Sequence, residues 1–198
     1  MSALLRFTTG FLSLVIYCVL MAACTLLAGV GGSDAGENTA ATTPHKDNIS
    51  QMQALTPSAD KNYAANFSWV DKDGKTISMK DLKGKVIFLN FWGTWCRPCR
   101  AELPDIVALQ KQYEGDVVFI GVAMERGGGD VISSLSSFTK EQKMTYQIVV
   151  GSDELANAFG GLSGVPTTFV IDKTGKLVDS RVGMANRAAF EAMLKKAL

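Results

Sequence analysis

Residues 86–104 read VIFLNFWGTWCRPCRAELP, and this stretch carries the strongest structural signal in the chain of 198 residues. Its first part, Val86–Phe91, is a predominantly apolar run of the kind found in strands buried on both faces of a sheet. Its second part has apolar residues at helical spacing, which predicts a helix over residues 98–113. Cys96 and Cys99 therefore lie where a buried strand passes into a helix.

Further strands and helices alternate along the chain on both sides of this stretch. A hairpin turn signal, Asp73-Gly74, separates two short strand patterns at 67–70 and 76–78. After the first long helix, we predict strands at 117–122, 146–150, 167–171 and 177–182, and helices at 131–142, 153–159 and 187–198. This order predicts an α/β fold with a central mixed sheet, mainly parallel, flanked by helices. An N-terminal β-hairpin and an inserted helix complete it.

The pair Cys96 and Cys99 has the spacing of a redox centre. Residues three apart share one face of a helix, so the two sulfur atoms can close a small disulfide ring. The free N–H groups and the dipole at a helix start favour an anion there, so we expect Cys96 to be the thiolate and Cys99 the shielded partner. A disulfide stabilises a fold mainly by restricting the unfolded chain, and so short a loop restricts it little, which argues against a purely structural role.

The composition of the chain excludes several other functions. Lys and Arg total 20 against 19 Asp and Glu, so no basic excess exists to neutralise the phosphates of a nucleic acid. The one histidine, His45, lies among Ala, Thr, Pro and Asn, which disfavours Ser-His-Asp and Cys-His catalysis. A zinc site needs about four ligands and the cysteine pair supplies two of them. We therefore predict neither a metal site nor a cofactor.

The N-terminal region predicts attachment to a membrane. No charged residue occurs from Phe7 to Ser33, and the apolar centre at 11–30 would be about 30 Å long as a helix, enough to cross a bilayer. Arg6 precedes this run, which predicts a cytoplasmic amino end. Residues 21–24, Met-Ala-Ala-Cys, look like a bacterial lipobox in which Cys24 would be acylated after cleavage of a signal. An uncleaved anchor and a lipid anchor both stay open.

These patterns divide the chain into three parts. Residues 1–30 form the signal or membrane anchor, or a lipoprotein signal that ends before Cys24. Residues 31–61 are rich in Gly, Ala, Ser, Thr and Asn, and this composition predicts a flexible linker. Residues 62–198 form the folded domain, with enough residues for one good core.

Two separate motifs resemble a known family. Residues 91–104, FWGTWCRPCRAELP, and residues 164–172, GVPTTFVID, resemble the TlpA/ResA-like thioredoxins, and the resemblance extends over residues 64–198. These proteins are membrane-tethered thiol:disulfide oxidoreductases on the outer, periplasmic side of bacterial cytoplasmic membranes. The resemblance implies a thioredoxin-like fold and a reaction in which Cys96 attacks a disulfide and Cys99 resolves the mixed disulfide.

The resemblance also implies residues that bind the substrate. Val165-Pro166 matches the family's cis-proline, which is expected to pack beside the cysteine pair and to offer its backbone to a substrate strand. Trp95 is expected to cover the sulfur of Cys96. Pro104 matches the proline that kinks the active-site helix.

A further implied residue is an acid on the active-site helix. Where ordinary thioredoxin has a buried aspartate, this chain has Asn90, which cannot take a proton. Glu102 lies three residues after Cys99, on the same helix face, and matches the glutamate typical of this branch. We hypothesise that Glu102 exchanges a proton with Cys99 during the attack on the mixed disulfide. The alternative is a solvated glutamate near the helix start, which the helix dipole stabilises and which takes no part in the reaction.

The sequence predicts the type of reaction, but it does not specify the substrate or the direction of electron flow. A change of about 30 mV corresponds to about 1.4 kcal/mol, so one charge can alter the redox direction. The family favours a reductase that takes electrons from a membrane thiol carrier and acts on exported proteins. Such substrates would be apocytochrome c before haem attachment, in cytochrome c-type biogenesis, or the copper-site cysteines of an oxidase assembly factor.

Two other functions use the same residues. The alternative we retain is a Cu(I)-binding metallochaperone that holds copper between Cys96 and Cys99, although no Met-rich or His-rich patch accompanies the pair. A peroxidase of the peroxiredoxin type is disfavoured because its pattern needs Thr or Ser three residues before the reactive cysteine. Gly93 occupies that position here.

Overall fold

The computed structural model describes residues 48–198, and a sheet of eight strands forms its centre. The strands are β1 (Ile49–Thr56), β2 (Asn66–Val70), β3 (Thr76–Ser78), β4 (Val86–Trp92), β5 (Val117–Ala123), β6 (Gln147–Val150), β7 (Thr167–Ile171) and β8 (Leu177–Val182). The helices are α1 (Arg97–Gln112), α2 (Val131–Glu141), α3 (Asp153–Ala158) and α4 (Arg187–Leu194). A single 3₁₀ turn, Met79–Leu82, follows β3. The predicted order of strands and helices after the linker is confirmed.

The sheet is mixed, with the strand order β3-β2-β1-β6-β5-β4-β7-β8. The pairs β1–β6, β5–β6 and β4–β5 are parallel, whereas β1–β2, β2–β3, β4–β7 and β7–β8 are antiparallel. The α/β class and the central mixed sheet are thus confirmed, but the expectation of a mainly parallel sheet is wrong. Short turns can join antiparallel neighbours. At the two ends of this sheet, such turns connect β2 to β3 and β7 to β8.

Strand β4 lies at the middle of the core, where both faces of the sheet are covered. All seven of its residues are buried. Phe88 and Trp92 point into a cluster shared with α1, α2 and α4, whereas Leu89 and Phe91 point into a second cluster with α3 and the β2–β3 hairpin. Side chains alternate between the faces of a strand, so burial on both faces explains the predominantly apolar sequence of β4.

Helix α1 begins directly at the cysteine pair, because Cys96 is its N-cap residue. Pro98 occupies the first turn, where a missing N–H costs little. Pro104 lies inside the helix, as the resemblance implies. The buried side of α1 includes Leu103 and Ile106, which pack in the same cluster as Phe88 and Trp92 of β4. This packing holds the first turn of the helix, and with it the cysteine pair, at the carboxyl end of β4.

The prediction of a flexible linker over residues 31–61 is wrong for its last part. Residues 49–56 form strand β1, which pairs in parallel with β6 and antiparallel with β2. Ile49 is buried, but most other side chains of β1 are partly or fully exposed, so their polar composition looks like that of a linker. Backbone hydrogen bonds to two neighbours stabilise the strand, and those do not depend on side-chain type. The described domain therefore begins before residue 62.

The predicted N-terminal features lie mostly outside the described residues. The anchor or signal at 1–30, the proposed acylation of Cys24, and the linker up to residue 47 belong to that part of the chain. None of the helices in residues 48–198 has the length and apolar composition that crossing a membrane requires.

Candidate active site

The cysteine pair is oxidised and lies at the junction of β4 and α1. Cys96 and Cys99 form a disulfide, with their Cα atoms 5.3 Å apart. The backbone N–H of Cys99 donates a hydrogen bond to Sγ of Cys96 at 3.2 Å. Cys96 is 4% exposed and Cys99 is fully buried. Cys96 is therefore the more exposed residue of the pair and Cys99 the shielded one, which agrees with the burial that the sequence predicts.

The start of α1 supplies the electrostatic environment that a thiolate needs. In the oxidised pair the N–H of Cys99 points at the sulfur of Cys96, and the positive end of the helix dipole lies at the same point. A hydrogen bond to the charged form and a nearby positive potential both favour ionisation of a thiol. This arrangement can hold Cys96 as a nucleophilic thiolate.

The backbone around Pro166 lies beside the reactive sulfur. The peptide bond between Val165 and Pro166 is cis, as the resemblance implies. The carbonyl oxygen of Val165 is 3.6 Å from Sγ of Cys96. A groove of about 460 Å³ begins here; its lining is mainly apolar and includes Pro98, Pro166 and Met184. Met184 is 55% exposed, which leaves apolar surface free next to the disulfide. The role of Val165 and Pro166 in binding a substrate stays a prediction.

Glu102 is buried on the inner side of α1. Its side chain is 1% exposed, which excludes the alternative of a solvated glutamate. Oε1 accepts a hydrogen bond from Nδ2 of Asn90 at 3.0 Å, and Oε2 accepts one from the backbone N–H of Ala185 at 3.2 Å. Burial away from water raises the pKa of Glu102 to about 7, although these two hydrogen bonds partly oppose the shift. This carboxyl group can both give and take a proton at neutral pH.

The neighbours of Glu102 come from strands distant in the sequence. Asn90 belongs to β4 and uses its second N–H to donate to Oγ1 of Thr168 at 3.0 Å. Thr168 lies opposite Asn90 in the pairing of β4 with β7. The sequence identified Asn90 and Glu102 but missed Thr168 and the backbone of Ala185. No local pattern could have identified them, because their role depends on which strands are paired.

Trp95 is held against the segment that follows β5. Its indole Nε1 donates a hydrogen bond to the carbonyl oxygen of Met124 at 2.8 Å, and the guanidinium carbon of Arg126 lies 3.4 Å from the ring centroid. The side chain is 41% exposed and shares a cavity of about 240 Å³ with Val165. The predicted contact of Trp95 with a substrate stays a prediction. Sequence reasoning missed Met124 and Arg126 altogether.

The described residues offer few ligands for a metal. In residues 48–198, no group of three or more His, Cys, Asp or Glu side chains is close enough to hold an ion. Cys96 and Cys99 could bind a metal as a pair after reduction of their disulfide, since a thiolate is the ligating form.

A disulfide at the start of a helix, a cis-proline beside it and a mixed sheet beneath it define the thioredoxin-like class of thiol:disulfide oxidoreductases. The AhpC/TSA family model matches residues 61–180. The chain belongs to this family and, within it, to the ResA-like thiol:disulfide oxidoreductases.

Relatives named as thiol-disulfide oxidoreductases support this assignment. The thiol-disulfide oxidoreductase ResA of Bacillus anthracis is 36% identical over 133 residues, which cover 67% of this chain and 75% of the relative. ResA of Bacillus subtilis (strain 168) is 38% identical over 115 residues, or 58% of this chain and 63% of the relative.

Solved structures of similar proteins have the same fold. A thioredoxin family thiol:disulfide interchange protein from Chlorobium tepidum TLS superposes with a TM-score of 0.60 at 36% identity, covering 71% of this chain and 98% of that chain. The pneumococcal exposed lipoprotein thioredoxin Etrx1 from Streptococcus pneumoniae strain TIGR4 has a TM-score of 0.55 at 31% identity, covering 67% and 99%. The chain is therefore a thiol:disulfide oxidoreductase with a thioredoxin-like fold.

Proposed function

We propose that this oxidoreductase reduces disulfides in exported proteins on the outer side of the bacterial cytoplasmic membrane. The observation that carries the proposal is the position of the Cys96 sulfur, which lies at a helix start and 3.6 Å from the Val165 carbonyl oxygen. A peptide that lies along Val165 and Pro166 would present its own disulfide to this sulfur. The apolar groove beside it can accommodate the flanking side chains.

The reaction begins with the reduced pair. The thiolate of Cys96 attacks one sulfur of the substrate disulfide, so that a mixed disulfide forms and the other substrate sulfur leaves as a thiolate that takes up a proton. Cys99 then loses its proton and attacks the sulfur of Cys96. The second substrate sulfur leaves, and two electrons have passed to the substrate. The product on the enzyme is the disulfide between Cys96 and Cys99 that the structure contains.

Glu102 is the group that we propose to accept the proton of Cys99. It lies one turn further along the same helix face, and both side chains are buried away from solvent. A pKa of about 7 leaves roughly half of the carboxyl groups ionised at neutral pH, which suits a general base. The same group, once protonated, can return the proton to a leaving thiolate. Glu102 would thus assist both directions of the exchange.

The membrane signal in the sequence and the relatives support the proposed partners and location. The uncharged run at 7–33 would place the domain outside the cytoplasm, either by an uncleaved anchor or by a lipid on Cys24. Etrx1, one of the structural relatives, is an exposed lipoprotein, which supports the second form of anchoring. A membrane thiol carrier would supply electrons. Apocytochrome c, or the copper-site cysteines of an oxidase assembly factor, would receive them.

The reduction potential of the full chain tests this proposal. Equilibration with glutathione buffers, followed by alkylation of free thiols, would measure how much of the Cys96–Cys99 pair is reduced at each ratio. A reductase should have a potential at or below about −220 mV, whereas a value near −120 mV, typical of strong oxidants, would contradict it. Tight Cu(I) binding without any disulfide exchange would favour the metallochaperone instead.

A further inference from the structure

The segment that follows β5 contacts the residues that precede the catalytic cysteine. We call Met124–Arg126 the clamp segment. The carboxylate of Glu125 accepts hydrogen bonds from the backbone N–H of Thr94 at 2.8 Å and from its hydroxyl at 2.6 Å. Met124 and Arg126 hold the indole of Trp95 by a hydrogen bond and a cation–π contact. The three consecutive residues of the clamp segment therefore bind the two residues directly before Cys96.

The fit between this segment and the indole is close. A Cβ atom added to Gly93 would lie 2.6 Å from Nε1 of Trp95 and 3.0 Å from the carbonyl oxygen of Met124. The carbonyl oxygen of Gly93 also accepts a hydrogen bond from the backbone N–H of Cys96 at 3.1 Å. Residues 93–96 thus form a turn. A backbone hydrogen bond within the turn and contacts with the clamp segment both stabilise it. Cys96 is the last residue of this turn.

We propose that Glu125 and Arg126 are positioning residues, which hold this turn and Trp95 in the geometry needed to attack a bound disulfide. The hydrogen bonds of Glu125 go to Thr94 and the cation–π contact of Arg126 goes to Trp95, so both would act on Cys96 through these two residues. The inference rests on the proposed function, because it concerns the same attack. Displacement of a reacting group by about 1 Å can lower a rate by as much as 100-fold, so a device that fixes the turn matters for catalysis.

Trp95 connects the clamp segment to the substrate side of the site. Its exposed indole lines the same cavity as Val165, whose carbonyl oxygen is next to the sulfur of Cys96. A substrate peptide bound along Val165 would therefore meet the indole. Release of Trp95 from Arg126 would change this surface, and we expect it to weaken substrate binding.

The two hydrogen bonds of Glu125 allow position and charge to be separated. Gln at this position can keep both contacts with Thr94, because its amide oxygen can accept from the backbone N–H and its amide nitrogen can donate to the hydroxyl. Ala loses both contacts. Glu125→Gln thus removes only the negative charge, whereas Glu125→Ala removes the charge and the clamp.

The experiment compares Glu125→Gln, Glu125→Ala and a control, Glu114→Ala, in the full chain. Glu114 is an exposed carboxylate in the turn after α1. We would measure kcat and KM for reduction of insulin, together with iodide quenching of tryptophan fluorescence. In residues 48–198, Trp69 and Trp92 are buried, so quenching reports on Trp95.

We expect Glu125→Ala to lower kcat/KM about tenfold, within the range that misplacement causes, and to increase quenching. Gln should restore most of the loss, and the control should match the wild type. Equal losses with Gln and Ala would show that charge matters rather than position, and an Ala variant equal to the wild type would overturn the proposal. A wild-type protein that does not reduce insulin at all would contradict the proposed function instead.

A second variant covers the case in which Glu125→Ala does not fold. Arg126→Ala leaves both hydrogen bonds of Glu125 intact and removes only the guanidinium above the indole. It should raise both the quenching of Trp95 and the KM for insulin, with a smaller effect on kcat. If neither changes, Arg126 does not position Trp95 and the proposal is wrong.

Discussion

Asn90 donates a hydrogen bond from Nδ2 to Oε1 of Glu102 at 3.0 Å, and each of the two side chains is 1% exposed. The contact joins the central strand β4 to the active-site helix α1. A neutral amide can donate its N–H to the ionised carboxylate and stabilise it without itself gaining or losing a proton at these pH values. Among residues 48–198, Glu102 is the one buried carboxylic acid, and burial raises its pKa to about 7.

Glu102→Gln should slow the resolution of the mixed disulfide and change its dependence on pH. In the wild type, the rate should rise as Glu102 ionises near pH 7, because only the carboxylate can accept the proton of Cys99. The variant lacks this step, and we expect a rate at least about tenfold lower at pH 7, with no inflection there. Stopped-flow measurement of tryptophan fluorescence from pH 5 to pH 9 would follow the reaction. An unchanged pH profile would exclude Glu102 from proton transfer.

The stability of the oxidised protein should fall as the pH rises from about 4.5 to about 7. The pKa of Glu102 is higher in the folded state than in the unfolded chain, so the folded state binds more protons between these values. The pKa shift from 4.5 to about 7 corresponds to about 3–4 kcal/mol. Urea denaturation at several pH values would measure this, and Glu102→Gln should remove this component. A pH dependence identical in variant and wild type would show that Glu102 titrates normally.

Asn90→Asp should create two carboxyl groups that share one proton. The new oxygen would face Oε1 of Glu102 at the present donor distance, and two like charges so close cannot both ionise without a large cost. We expect the pair to titrate in two steps, with the upper step above pH 7. Carbon NMR of the carboxyl groups would resolve the two steps. The same substitution in a Glu102→Gln background is the control, and it should show no such upper step.

Cys99→Ala should trap substrates as mixed disulfides, whereas Cys96→Ala should not. Cys96 is the more exposed residue of the two and its sulfur accepts the N–H of residue 99, so we expect it to attack first. Without Cys99 the intermediate cannot be resolved. Non-reducing gels of membrane fractions would show adducts that dithiothreitol releases. Adducts in equal amount with both variants would mean that either cysteine can attack.

Gly93→Ala should destabilise the protein by about 1–3 kcal/mol, the usual range for overpacking. The added Cβ would lie 2.6 Å from Nε1 of Trp95, so the indole has to move. Gly128→Ala is the matched control, because its Cβ would have no atom within 4 Å. Urea denaturation would compare the two variants, and equal stabilities would contradict the tight packing of Trp95 against Gly93.

Ile49→Ala tests whether β1 belongs to the folded domain. Ile49 is 1% exposed in the main core cluster, so its truncation should cost about 2–5 kcal/mol. Gln51→Ala changes an exposed residue of the same strand and should have an effect within about 0.5 kcal/mol. A neutral Ile49→Ala variant would support the original expectation of a flexible linker up to residue 61.

Patterns within short stretches were sufficient to predict most of the fold. The alternation of apolar runs and helical spacing located β4, α1 and the later strands to within a few residues, because each pattern reflects the burial of that element's own side chains. Strand β1 was missed for the same reason, since only its first two residues are buried. Its stability comes from backbone pairing with β2 and β6, which leaves little trace in its side chains.

Part of the active site could also be predicted from the sequence, and part of it could not. The identity and spacing of Cys96 and Cys99 were sufficient to predict a redox pair, because three residues separate two positions on one helix face whatever the rest of the chain does. The environment of Glu102 was decided by tertiary structure alone. Its partners Asn90 and Ala185 are 12 and 83 residues away in the sequence. Burial, and with it the raised pKa, depends on the folding of those distant segments around one carboxyl group.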